Sequence, residues 1–533
     1  MKDTGTVEKR KPAFLFRLLV LTLLAAFVLS NCPGLTGGET GEPEQSATPV
    51  AAESTVFKTG ETQESVSFTL TGTYTGVWKV YTTAAGSTVM NGVSAAFSVP
   101  LLTLTAAGDL EARTYYVSVT GTGKTESKRL ALTVAAYSDD EIRQKPVSTP
   151  LLHVGGLHTD ADFDRIKAKL AAGEEPWVSG WNKLTANSHA QISYTPNPVT
   201  QIVRGAASGG PSENYSRAFN DAAAAYQLAL RWRISGDSSF AARGVYILNE
   251  WAKICTGEIT GTTDQSLAAG IYGYQFAVAG ELLRAYSGWV SADFSAFQQW
   301  MLNIFFPKNR DFLTRHHDTH DDHYWANWDL CNLASVLAIG ILCDRRDIYN
   351  LAIDYLQNGN GNGNWYKAIN YLHTVGNEEL AQLQESGRDQ GHATLCIALM
   401  DFICQLTWNQ GDDFYGLDDN RFLKACEYTA KYNVAGLDVP FHEYVRLWGN
   451  KNQYPNPLVE KHTQISSSSR GTVRPMWSGP YYHYVKVKGL TESKAYYTKM
   501  GVDGMSPEGG GGDYGSTSGG YDQLGFGTLM YSR

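Results

Sequence analysis

ANWDLCNLASVLAIGILCD, residues 326–344, is apolar nearly all round from Leu330 to Cys343, so a helix here has almost no face to give to water. Such a helix has to lie inside, shielded by others. On either side stand more segments of helical period, each with an apolar face and often a Gly, Asp or Asn at its ends. They are 161–173 (behind a cap region after Thr159), 216–237, 239–255, 265–288, 348–359, 387–408 and 420–434. Consecutive helical hairpins with inner and outer members over ~300 residues predict an α/α toroid or solenoid. Residues 477–533, rich in Tyr and carrying EGGGGDYGSTSGGYD, read as strand and loop.

Upstream the period changes to two. SVSFTLTG, GVWKVYTT, AAFSVP, TYYVSVTG and RLALTVAAY lie between 55 and 137, separated by Gly-containing turns. That spacing predicts a small β-sandwich of immunoglobulin-like type, without the Cys…Trp…Cys pattern of antibody domains. It reads as a spacer or a carbohydrate-binding module. Residues 33–54, rich in Gly, Pro, Glu and Ser, predict a flexible tether, and 138–150 a linker. At the N-terminus, Lys9, Arg10, Lys11 and Arg17 precede LLVLTLLAAFVL (18–29) and then Ser30-Asn31-Cys32. The run is too short to span a bilayer. It resembles a bacterial lipoprotein signal over 1–32 with Cys32 lipidated, which predicts a periplasmic or cell-surface protein held to the membrane through a lipid anchor only. The other six cysteines form no CxxC pair, so a zinc ribbon is not expected.

A net charge of −9, with no basic stripe, excludes the nucleic-acid-binding class. The chemistry concentrates in two segments, HDDHYWANWDLCN (320–332) and QLQESGRDQGHATL (382–395). His320, His323 or Tyr324, and Asn327 recur at helical spacing, as do Gln384, Arg388 and His392. Two helical faces made of imidazoles, amides, a guanidinium and a phenol predict a polar cleft, because burying such groups unpartnered costs about 1–3 kcal/mol each. The residues suit β-elimination on a uronate. An amide and a guanidinium neutralise the carboxylate, a His or Tyr removes the C5 proton, and a Tyr or His protonates the departing oxygen. No cofactor is required. The HHDTHDDH run (316–323) offers the rival chemistry, since His316 and His320 have metal-ligand spacing. The reading here is a solvated loop with substrate contacts, and no metal.

Four segments carry a resemblance to the alginate lyase family of α/α-toroid polysaccharide lyases. They are HVGGLHTDADFDRIKAKLAAGEEPWVSGWNKL (153–184), NWDLCNLASVLAIGILCDRRDIYNLAIDYLQNGNGNG (327–363), QESGRDQGHATL (384–395) and YTAKYNVAGLDVPFHEY (428–444). The resemblance implies a catalytic domain over 150–533 that depolymerises an anionic polysaccharide, alginate or another polyuronate, without a metal. Carried over by position, Asn327 and Arg388 neutralise the carboxylate and His392 is the base. Tyr444 is the first choice for the acid and Tyr324 the second. Where the family carries Asn-Asn-His-x-Tyr-Trp, this chain has Asp321-Asp322-His323-Tyr324-Trp325, which puts His323 in a subsite with Tyr324, Trp325 and Gln384. The alternatives are a glycoside hydrolase on a toroid, which needs two opposed carboxylates, and a non-catalytic surface glycan-binding lipoprotein.

Overall fold

The computed structural model describes residues 43–533 except 52–55, 60–64, 109, 112, 137–144, 146 and 207. The signal segment with Cys32, the first part of the tether and most of the linker lie outside the described residues.

The N-terminal part has strands β1 (Val50–Ala51), β2 (Val56–Thr59), β3 (Ser65–Thr71), β4 (Val77–Tyr81), β5 (Val93–Ser98), β6 (Leu101–Ala106), β7 (Arg113–Thr120) and β8 (Leu130–Ala136). They form two four-stranded sheets, β1-β3-β6-β5 and β2-β8-β7-β4. The alternation of the sequence sends Phe68, Leu102 and Leu104 from one sheet and Val80, Tyr115, Val117 and Leu132 from the other into a common core. The tether is shorter than expected. The Ser46 N–H donates to Thr125 O at 2.9 Å, and Val50 lies opposite Thr71 in the ladder. Backbone groups that find ladder partners are no longer free to wander.

The rest is mainly helical. In chain order it holds α1 (Asp160–Ala171), α2 (Trp177–Ala186), β9 (Val203–Arg204), α3 (Ser216–Ser235), α4 (Ser238–Ile254), β10 (Thr260–Gly261), α5 (Gln265–Leu283), α6 (Ser291–Trp300) and α7 (Phe306–Arg315). After these come α8 (Ala326–Leu342), α9 (Arg346–Asn358), α10 (Trp365–Ala368), β11 (Ile369–Val375), β12 (Glu378–Leu383), α11 (Gln390–Asn409) and α12 (Leu417–Asn433). The chain finishes with β13 (Tyr444–Trp448), β14 (Leu458–His462), α13 (Ser478–Tyr482), α14 (Tyr496–Met505) and α15 (Gly527–Tyr531). Helices α3, α5, α8 and α11 are the inner layer, each packed on the next, while α4, α9 and α12 back α3, α8 and α11. Helix α13 bridges α11 to α15, and α15 packs on α1 and α2, which return to α3 and complete a ring. This is consistent with the α/α toroid. Close approach of α5 to α8 depends on Gly270, where a Cβ would come within 2.4 Å of Cys331 Sγ. All six described cysteines are free.

The C-terminal segment departs from its reading. In place of strands it forms α13, α14 and α15, and Gly509–Gly511 are buried. Only a glycine fits at 510, since a Cβ there would sit 2.4 Å from the ring of Phe526. The run is Gly-rich because it is tightly packed.

Candidate active site

The two polar segments meet, but not as helical faces. Residues 316–325 are turns and a short 3₁₀ segment, and α8 begins only at Ala326. His320, His323 and Tyr324 therefore precede the helix that carries Asn327. Likewise Gln384–Gly387 is a 3₁₀ turn, Asp389 is the extended N-cap residue of α11, and only His392 lies on that helix. Caps explain the change. Trp325, at the N-cap of α8, makes no side-chain cap bond. The orphan amides are satisfied from the other segment instead. Ala326 N–H donates to Gln384 Oε1 at 3.0 Å and Asn327 N–H to Glu385 Oε1 at 3.2 Å. These two side chains are buried with partners, so they hold the two segments together.

On that platform Arg388 Nη1 donates to Glu385 Oε2 at 3.1 Å and to Asn327 Oδ1 at 3.4 Å, and Arg388 Nη2 lies 3.4 Å from His392 Nε2. With Oδ1 engaged, the Asn327 amide hydrogens are what that side chain offers a ligand. Burial pushes the Glu385 carboxyl up, against the pull of Arg388. Asp389 does two tasks. Its Oδ1 accepts the His392 backbone N–H at 2.9 Å, and its Oδ2 accepts the His392 Nδ1 proton at 2.7 Å. Burial works to raise the Asp389 carboxyl, but the bonds and charge of His392, with Arg388 beside it, hold it below its ordinary value. Fixing the proton on Nδ1 leaves Nε2 with a lone pair. The His392 side chain is 38 % exposed against 26 % for Arg388, and the Nε2 lone pair faces Arg388 Nη2 across a long contact of 3.4 Å.

The β13–β14 hairpin supplies a further wall. Alternation puts Tyr444, Arg446 and Trp448 on one face and the exposed Val445 and Leu447 on the other. Gln384 Nε2 donates to the Tyr444 hydroxyl oxygen at 2.8 Å, which leaves the phenolic proton free to be given away. Burial raises the Tyr444 phenol above its usual range and keeps it protonated. Trp325 links the parts: its ring lies 5.2 Å from the Arg388 guanidinium, 4.7 Å from that of Arg446 and 6.2 Å from the Tyr444 ring. Arg446 donates to His323 O at 2.9 Å and to Glu460 at 2.7 Å. His462, opposite Tyr444 in the ladder, donates from Nδ1 to Gly387 O at 3.0 Å.

His323 has the opposite tautomer to His392. Its Nδ1 accepts the Gly449 N–H at 2.9 Å, so the proton sits on Nε2. Burial, then the charge of Arg446, lowers its pKa to about 4. It is a neutral donor rather than a base. Tyr324 is buried among Phe312, His317 and Trp328, and burial pushes its phenol to about 12. The imidazoles of the HHDTHDDH run diverge. His316 pairs with Asp329 at 2.8 Å, His317 with Ser266 at 3.1 Å and His320 with Tyr454 O at 2.7 Å. Among the described residues no three His, Cys, Asp or Glu side chains are grouped to hold a metal ion.

Sequence reasoning missed Asp389 as the partner of His392, Glu385 as the buried cap, and Arg446 and His462 on the hairpin. An Asp directly before a helical run is a capping signal that would have found the first. The alternation in YVRLW and LVEKH would have found the last two.

Residues 185–438 match the model of the family described as alginate lyase. No curated protein matches the chain by sequence. Among solved structures the chain is similar to alginate lyase A1-III from Sphingomonas species A1, with 13% identity, a TM-score of 0.47, and 74% of this chain and 98% of that chain covered. It is also similar to an alginate lyase from Bacteroides ovatus, with 12% identity, a TM-score of 0.44, and 72% and 100% covered. A variant of the A1-III enzyme complexed with tetrasaccharide gives 12% identity, a TM-score of 0.47, and 74% and 98% covered.

Proposed function

We propose that the chain, whose residues 185–438 match the alginate lyase family model, is a polysaccharide lyase that cleaves alginate or a related polyuronate by β-elimination at the Asn327–Arg388–His392–Tyr444 site. The uronate carboxylate is met by the Asn327 amide and the Arg388 guanidinium, which withdraw its charge and acidify C5–H. His392 Nε2 takes the C5 proton, the electrons of that bond form the C4–C5 double bond, and the C4–O bond breaks. Tyr444 gives its proton to the leaving oxygen. His323, Tyr324, Trp325 and Gln384 are assigned to substrate contact or to its support. The N-terminal ends of α8 and α11, both at this place, also favour an anion.

The observation that carries the reading is the Asp389–His392 pair. It leaves the imidazole Nε2 unprotonated beside a guanidinium and an amide, the arrangement that proton abstraction next to a carboxylate needs. Contacts of 3.4 Å around Arg388 are long, and tightening on substrate is the ordinary behaviour of such sites. A hydrolase would need two facing carboxylates. Glu385 has a fully buried side chain tied to Arg388. The test is the product. Alginate incubated with the purified chain gives unsaturated uronate ends, seen as new ultraviolet absorbance; new reducing ends without that absorbance overturn the reading.

The β-sandwich is assigned to the immunoglobulin-like type, and export with a lipid anchor at Cys32 is the proposed setting. Supporting these are the two sheets with a common core and the charged, apolar and Cys order of residues 9–32.

A further inference from the structure

One face of the β-sandwich carries a recess of about 890 Å³ that the catalytic reading does not use. Its rim and floor come from Lys79 and Tyr81 on β4, Tyr116 on β7, the 84–89 loop, and the 126–131 segment leading into β8. Three cations line it, Lys79, Lys128 and Arg129, against one carboxylate, Glu126. That carboxylate is already engaged: Glu126 Oε1 accepts the hydroxyls of Tyr81 and Ser118 at 2.6 Å each, and Lys79 stands 3.6 Å from Oε2. Arg129 stacks on Tyr81, 3.4 Å from the ring centroid, and donates to the carbonyls of Thr83 and Gly86. Carbonyl partners orient the guanidinium without cancelling its charge. Outside the recess Lys124 and Arg113 each pair with a carboxylate of their own, Glu44 and Glu111, whereas inside it three cations share Glu126. The basic excess is local, on a chain whose net charge is −9.

We propose that this recess is a second, non-catalytic binding site for a carboxylate-bearing polysaccharide, the polymer class that the lyase reading assigns to the helical domain and on which this inference rests. The fit is one of charge and shape. Lys128 is exposed at the rim, Lys79 stays 42 % exposed beside a Glu126 that two hydroxyls already engage, and the half-buried Tyr116 gives a sugar ring a flat apolar partner. An open recess bordered by long side chains suits a chain lying across it rather than a small molecule enclosed in it. A site of this kind raises the local concentration of polymer without touching the reaction.

The experiment uses the full chain with His392→Ala to slow cleavage, run in native gels containing soluble alginate. Lys79→Ala with Lys128→Ala should weaken the retardation at least about fivefold at low salt, the scale of two exposed charge contacts, and the effect should fade as salt rises. Lys79→Arg with Lys128→Arg should retain it. Dextran, a neutral glucan, should retard none of them. In the active chain the Lys→Ala pair should leave kcat on short soluble uronate oligosaccharides unchanged. Equal retardation of parent and Lys→Ala pair overturns the proposal, as does equal retardation by dextran. Binding of anionic phospholipid vesicles in place of alginate also overturns it, by making the recess a membrane contact. A wild-type chain that releases no unsaturated product overturns the lyase reading instead, and that assay is independent of the gel.

Discussion

In the proposed reaction the position of one proton on His392 decides the chemistry. Asp389 takes the Nδ1 proton, and His392→Ala should cut turnover by at least about 10²-fold with little change in substrate binding. Asp389→Asn should lower kcat by roughly 10–10²-fold, because an amide can offer its N–H to Nδ1 and favour the wrong tautomer; KM should move little, whereas a merely structural role would show first in the melting temperature. Tyr444→Phe removes only the proposed proton donor and should also act on kcat; near-wild-type turnover would transfer the acid role to another tyrosine. The meeting of the two polar segments was legible. Gln384, Arg388 and His392 stood at regular spacing, and Asn327 stood in a matching segment. What the sequence concealed was the division of labour, since Gln384 and Glu385 are polar in order to cap α8 from 58 residues away. A long-range cap has no local signature.

The elements show the same split. The inner helices were plain from their all-round apolar character, and α5 and α8 are buried along nearly their whole length. Two hairpins, β11–β12 and β13–β14, were not recognised, because short strands between long helices carry few residues of alternating pattern. The second hairpin matters most. Its inner face carries Tyr444, and Arg446 fastens it to the 320–325 turn through His323 O, Glu460 and the Trp325 ring. Arg446→Ala should therefore reduce kcat/KM by about tenfold, with part of the loss in KM, since releasing one well-placed support of a bound geometry costs on that order. Steady-state kinetics on soluble alginate give the answer; unchanged KM and kcat would show that the hairpin holds its place without that arginine.

On the scale of the molecule, two carboxyls buried away from the active site set a pH dependence. Burial raises Asp401 to about 8 and Glu508 to about 7. Each folded value lies above the unfolded one, so the stability from the protonated form is complete below the ordinary carboxylate range, near pH ~4, and is lost as pH rises through about 7 to 8. Asp401→Asn keeps an acceptor for the Tyr415 hydroxyl, which donates at 2.7 Å, and cannot ionise. Its melting temperature should gain on wild type between about pH 5 and about pH 9, with a difference on the order of 1–3 kcal/mol at the alkaline end. A gap that does not change with pH would remove Asp401 from this account. Neither carboxyl was foreseeable, because burial of a single Asp in a helix or of a single Glu in a loop leaves no trace in periodicity. The proposed lipid anchor has its own test: Cys32→Ala should release the protein from the membrane fraction with activity intact.

The ring has one more consequence, and it concerns time. Arg165 on α1 donates to Met530 O in α15 at 2.7 Å, a bond between groups 365 residues apart in the chain. The inner helices can meet their sequence neighbours quickly, but closing this last seam means bringing together ends separated by almost the whole domain, and such non-local contacts form late. Refolding should therefore proceed in at least two phases, with helical signal returning before the seam is shut. A permuted chain whose α15 leads directly into α1, opened instead at an exposed loop such as the turn around Gly436, would turn that distant contact into a local one and shorten the slow phase.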